Sequence, residues 1–226
     1  MTEYAPDGSP VALYARLPSL GEPELIHDAI PAGAEILELG AGAGRVTHRL
    51  LALGHPVVAV DNSEEMLSRV VGAETVLGDI ETLDLGRRFP VVVLASNFIN
   101  HPDDAERRAF LSCCARHVAP DGRVLLQGFP RDWQPSTQWA DHGDVRVRLR
   151  NFTLEGGHVA GEVEYLVEGR NLVHAFESKL LTPEELDADL AAVGLRRVRE
   201  LDERGSWIEA APKPRTPSST EDRVRG

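Results

Sequence analysis

The stretch Glu38-Leu39-Gly40-Ala41-Gly42-Ala43-Gly44 constrains this chain more than any other part of it. Residues 35–39 read as a short apolar strand, and residues 46–53, behind the glycines, have the spacing of a helix. Glycine lets a backbone turn into conformations barred to other residues and lets a ligand approach closely. A helix N-terminus behind such a turn offers N–H groups to an anionic group. A tight turn with no ligand is the competing account. The next strand, residues 57–60, ends at Asp61, where a carboxylate can accept both hydroxyls of a ribose.

Strand and helix patterns then alternate, which argues for a parallel sheet. Ser63 caps a helix with Met66, Leu67 and Val70 on one side. Residues 75–77 form a third strand, closed by Gly78-Asp79-Ile80, where an Asp side chain and a backbone N–H can read an adenine edge. Residues 91–95 carry the apolar run of a strand buried on both faces. A helix follows from Pro102 to about Val118, and the turn Pro120-Asp121-Gly122 leads into strand 123–127.

From Asp144 the period drops to two. Val145, Val147 and Leu149 alternate with Arg146, Arg148 and Arg150. Turns at Gly156-Gly157 and Gly169-Arg170-Asn171 predict a three-stranded antiparallel meander that partly joins the main sheet. Thr182-Pro183-Glu184-Glu185 is a capping box that starts a helix. Residues 195–201 and 206–211 read as a closing antiparallel pair. The expected organisation is an N-terminal cap over residues 1–21, a domain over 22–211 with a lid at about 131–181, and a disordered tail over 212–226. The fold class is α/β, Rossmann-like: a mostly parallel seven-stranded sheet with an antiparallel β-meander lid after strand five.

Over residues 36–129 the chain resembles the class I S-adenosylmethionine (SAM)-dependent methyltransferases. The matches are the E-x-G-x-G-x-G loop, Asp61, the Gly78-Asp79-Ile80 step and the Pro120-Asp121-Gly122 turn. A nicotinamide-dinucleotide fingerprint would need G-x-G-x-x-G, but the sixth position from Gly40 is Arg45. The resemblance implies SAM as cofactor and S-adenosylhomocysteine (SAH) as product. It places Glu38, Gly40, Ala41 and Gly42 at the methionine end, Asp61 on the ribose, Met66 against the adenine, and Asp79 with Ile80 at its edge, with Asn62 also in the cofactor set. Ala95 and Ser96, ending strand four, join the cofactor set.

The acceptor side begins at Ser96-Asn97-Phe98-Ile99-Asn100-His101, which lacks the N-P-P-Y signature of base and glutamine methyltransferases. It resembles the small-molecule N-methyltransferases of sugar amines, where a His stands at the place of His101. Imidazole can orient an acceptor or act as its base; capping of the following helix is the alternative. Tyr14 resembles an N-terminal tyrosine that closes over SAM, with core packing as its alternative. Together, His101 and Tyr14 are the catalytic candidates. Asn97, His101, Trp133 and Trp139 are the substrate-binding candidates, the tryptophans as pocket walls. Glu162 and Glu164 make one strand face acidic, either solvated or facing a cationic amine. Arg146, Arg148 and Arg150 form either a solvated face or a dimer contact.

Composition narrows the partners. The formal net charge of −12 opposes nucleic-acid binding. Apolar runs are strand-length, so a membrane span is not expected. The only cysteines, Cys113 and Cys114, are neighbours, which suggests reduced thiols in a cytoplasmic bacterial protein. No metal site is expected. The resulting expectation is transfer of a methyl group to an N, C or O nucleophile of a small specialised metabolite, such as an amine or an aromatic or indole alkaloid precursor. Action on a peptide or protein, or a non-catalytic SAM-binding module, are the alternatives.

Overall fold

The computed structural model describes residues 5–6 and 10–214. Most of the expected tail, residues 215–226, and parts of the N-terminal cap segment therefore lie outside the described residues. A short helix α1 (Val11–Tyr14) and α2 (Glu22–Ala29) precede the sheet. The repeating units are β1 (Ile36–Leu39), α3 (Thr47–Ala52), β2 (Val57–Asp61), α4 (Glu64–Leu67), β3 (Glu74–Leu77), β4 (Phe89–Leu94), α5 (Asp104–His117) and β5 (Val118–Gln127). The chain closes with α6 (Pro183–Ala192), β10 (Leu195–Glu200) and β11 (Trp207–Pro212).

These strands form one seven-stranded sheet in the order β10-β11-β5-β4-β1-β2-β3. The five strands from β3 to β5 pair in parallel, and β11 runs antiparallel to both of its neighbours. Successive residues of the central strands point to opposite faces, and both faces are covered. Leu37, Val92, Leu94, Val124 and Leu126 pack under Phe110, Leu111, Leu186 and Leu190 of α5 and α6. Ile36, Val91, Val93 and Leu125 pack against Ile26, Ile30, Val46 and Leu50 on the other side. Burial on both faces explains why these strands read as unbroken apolar runs. No helix of the described residues is long and apolar enough to cross a membrane.

Between β5 and α6 the chain builds a second sheet rather than an extension of the first. It has four strands, in the order β6 (Ala140–His142), β7 (Val145–Glu155), β8 (His158–Val167) and β9 (Arg170–Lys179), all antiparallel. The expected meander had three strands and partly joined the main sheet; both points are corrected here. The second turn also moves. Val167 pairs with Arg170, so the loop is Glu168-Gly169, both at positive φ (49° and 73°), the geometry of a two-residue hairpin. Asn100 fastens this sheet to the main body. Its carboxamide donates to the Lys179 carbonyl (2.7 Å), at the exit of β9, and accepts from the Phe129 N–H (3.0 Å), just past β5.

Candidate functional site

A cavity of about 840 Å³ opens between the carboxyl ends of β1, β2 and β4 and one face of the second sheet. This is where an open α/β sheet binds ligands, and the size suits a small-molecule site. One half is walled by the glycine turn, Asp61, Asn62, Met66, Gly78, Ile80 and Glu81. Gly40, Gly42 and Gly44 all have positive φ (73°, 55° and 85°). A Cβ on Gly40 would lie 2.5 Å from the Phe98 ring, whereas one on Gly42 would meet no atom within 4 Å. Gly42 therefore leaves room on the cavity side of the turn.

The turn is held from within. Gly40 and Ala41 N–H both donate to the Val60 carbonyl, and Gly44 N–H donates to that of Ala41. Asp61 accepts from Gly42 N–H (2.8 Å) and Ser63 N–H (2.9 Å), so one carboxylate ties the glycine turn to the start of α4. The amides of Gly40, Ala41, Gly42 and Gly44 are thus engaged within the protein. The positive group at this end is Arg45, which lines the cavity, donates to buried Glu22 (2.6 Å) and lies 3.4 Å from Ser96 Oγ.

Not every expected residue lines the cavity. Tyr14, Gly40, Ala41, Gly42, Asp61, Asn62, Met66, Ile80, Ser96, Asn97, His101 and Trp133 do; Glu38, Asp79, Ala95 and Trp139 do not. Glu38 is buried beneath the turn, where its carboxyl accepts the Thr47 hydroxyl (2.6 Å). Burial pushes its pKa up to about 7, against the opposing Thr47 hydrogen bond. Asp79 is exposed, with Oδ1 3.4 Å from the Asn62 amide. Ala95 is packed in the core. The Trp139 ring instead lies against the Arg146 and Arg148 guanidiniums, at 5.2 and 4.5 Å.

After β4 the backbone turns sharply. Ser96 and Asn97 sit consecutively at φ 57° and 61°, a conformation that costs non-glycine residues of order 1–3 kcal/mol each. Gln127 holds the bend by accepting Ser96 N–H (2.8 Å). His101 follows, with its ring edge-on to Phe110. It does not cap α5: Asp103 does, accepting from Ala105 and Glu106 N–H. His101 Nδ1 instead accepts Asp103 N–H (3.2 Å), and Nε2 lies 3.2 Å from the Glu106 carboxylate. Buried Arg107 holds the segment from behind, donating to the His101 carbonyl (2.9 Å) and to Asp189 (2.7 Å).

The acceptor half contains Phe98, of the segment expected there, and residues that the sequence reading passed over: Phe110, Phe129, Phe176, His142 and His174. In β9, Leu172, His174 and Phe176 alternate, and that period-two pattern is the signal that could have found the last two. The acidic face of Glu162 and Glu164 is neutralised rather than presented. Glu164 pairs with Arg148 (2.6 Å) and Glu162 with Arg150 (2.8 Å), so the two expected charged faces are one interlocked ladder. No cluster of metal-ligating side chains exists among the described residues.

Residues 36–122 match a family model described as a methyltransferase domain. An uncharacterised methyltransferase of Mycobacterium bovis is 37% identical over 130 residues, which cover 55% of this chain and 52% of that protein. A ubiquinone biosynthesis O-methyltransferase of Rhizobium etli is 27% identical, over 72% of this chain and 60% of its own length. The chain thus spans about half the length of the mycobacterial relative. Among solved structures, the amino pentose methyltransferase CalS10 of Micromonospora echinaspora aligns with a TM-score of 0.69 at 24% identity, covering 89% of this chain and 95% of its own. A SAM-dependent methyltransferase of Clostridium acetobutylicum aligns with a TM-score of 0.72 at 14% identity, over the same shares. These likenesses are likenesses of fold.

Proposed function

We propose that this chain moves a methyl group from SAM to a nucleophile on a small molecule, a reading supported by the match of residues 36–122 to a methyltransferase domain model. The observation that carries the reading is a single cavity joining the glycine turn and Asp61 to a half lined by aromatic rings. Bound SAM would supply an electrophilic methyl group on sulfur. Asp61 and Asn62 would hold the ribose, Met66 and Ile80 would flank the adenine, and the space beside Gly42 would admit the methionine end, with Arg45 facing its carboxylate. Tyr14 and His101 border the reacting centre, Tyr14 as a cover and His101 as an orienting wall.

Alignment and exclusion of water then perform most of the work, an effect that reaches roughly 7–11 kcal/mol in well-oriented reactions. The acceptor enters under the second sheet, a compartment sized for a metabolite. A natural-product acceptor fits the company of CalS10, which is involved in calicheamicin biosynthesis.

Calorimetry with SAH tests the reading. Binding in the micromolar range, near −8 kcal/mol, is expected for the native chain. Asp61→Ala should weaken it by about 1–3 kcal/mol, because two hydroxyls lose their acceptor in a buried site. Silent SAH, or an unchanged affinity in the variant, would refute the cofactor assignment or the role of Asp61 respectively.

A further inference from the structure

Seven of the chain's twelve Phe, Trp and Tyr residues line this one cavity. Tyr14 lies beside the glycine turn, while Phe98, Phe110, Phe129, Trp133, Tyr165 and Phe176 wall the acceptor half. Flat rings favour a flat ligand, through offset-stacked or edge-to-face contacts. A cationic amine would call instead for an available carboxylate. Glu162 and Glu164 are held by Arg150 and Arg148, and Asp61 and Glu81 stand at the cofactor end, which leaves exposed Glu177 of β9 as the one carboxylate on the acceptor side against six aromatic rings.

Three imidazoles line the cavity, and they are not equivalent. Both nitrogens of His101 are engaged, by Asp103 N–H and the Glu106 carboxylate. His142 sits at the end of the three-residue strand β6. His174 lies mid-strand in β9, directly across from Val163, on the face it shares with Tyr165 and Phe176. Its imidazole makes no hydrogen bond or ion pair within the described residues. A half-buried imidazole among aromatic rings, with both nitrogens uncommitted, is placed to meet a ligand.

On the methyl-transfer reading above, we infer that the acceptor is an aromatic hydroxyl compound stacked in this half of the cavity, and that His174 takes its proton. Imidazole as a class is basic enough to draw a proton from a phenol, whose pKa near 10 is that of tyrosine. Aliphatic alcohols lie far beyond its reach. In the step, the phenolic O–H bond breaks, the proton joins an imidazole nitrogen, and the electron pair stays on oxygen. The oxygen then forms the new O–C bond as the methyl–sulfur bond breaks with its electrons left on sulfur. The imidazolium returns its proton to water. The other ionisable groups facing this space are His101, His142, Tyr165, Arg148 and Glu177.

The test uses 4-nitrophenol, whose absorption spectrum distinguishes phenol from phenolate, added to the full chain saturated with SAH. We expect it to bind and to show a larger phenolate fraction than in the same buffer without protein. In His174→Gln that excess should vanish while SAH affinity stays within about twofold, and methyl transfer from SAM to the probe should fall by at least about 100-fold. His158→Gln, on the exposed hairpin outside the cavity, should change none of these readouts. An undiminished phenolate signal in His174→Gln would overturn the role of His174. Binding of cyclohexylamine but not 4-nitrophenol would overturn the aromatic acceptor. Failure of the native chain to bind SAH would instead sink the underlying methyl-transfer reading, and this inference with it.

Discussion

Glu38 is a carboxyl in the wrong solvent. Its side chain is enclosed, and its one named partner is the Thr47 hydroxyl, which can satisfy a neutral acid as well as a charged one. With its pKa raised from 4.5 to about 7, the folded protein keeps a proton that the unfolded chain releases. The associated stability is therefore complete below about pH 4.5 and is lost as pH rises towards 7. At 1.36 kcal/mol per pKa unit, the loss amounts to about 3 kcal/mol. Glu38→Gln keeps the shape and an acceptor for Thr47 but has no proton to lose. Urea unfolding at a series of pH values should show the native chain losing stability across this window more steeply than the variant, by up to about 3 kcal/mol. Parallel curves would place the Glu38 carboxyl in water.

At the scale of elements, the joint between α5 and α6 is ionic. Arg107, 2% exposed, reaches Asp189 and Asp104 at 2.7 Å each, and Arg108 also donates to Asp189 (2.7 Å). Arg107→Met should cost about 3 kcal/mol in chemical denaturation, at the low end for a broken buried pair because Arg108 stays on Asp189. The double variant Arg107→Met/Asp189→Leu should recover most of that loss, and a double variant as unstable as the single would show that packing, not charge, is what matters. Elements of this kind differ in how far the sequence betrays them. The parallel strands are legible because burial on both faces writes an apolar run. The capping box of α6 is legible because Thr182 and Glu185 each satisfy the other's backbone N–H. Strand β6, Ala-Asp-His, has no apolar pattern, since backbone pairing with β7 alone defines it. The cofactor half of the cavity follows the same logic. The glycine turn and Asp61 are local signals, whereas Phe98, Phe110, Phe129 and Phe176 meet only because distant elements converge.

The whole molecule is one sheet with a roof, and the cavity between them couples ligand binding to stability. SAH at a concentration 100 times its Kd should add about 2.7 kcal/mol. For a domain of this size that corresponds to a rise in Tm of roughly 5–10 °C. A thermal scan with no shift would mean that SAH does not prefer the folded chain. The single carboxamide of Asn100 also holds both the departure of the roof, at Phe129, and its return, at Lys179. The segment between thus leaves and re-enters the body almost at one point, as an insertion does when its ends already meet. Such an arrangement makes the roof an exchangeable cassette. Replacing residues 130–178 by a segment of different length should leave the sheet order and the glycine turn intact, and a replacement chain that no longer folds would show that the contacts of Arg131 and Asp132 with residues 200–204 are needed as well. On the methyl-transfer reading, such a plan separates the part that would choose the acceptor from the part that would hold SAM.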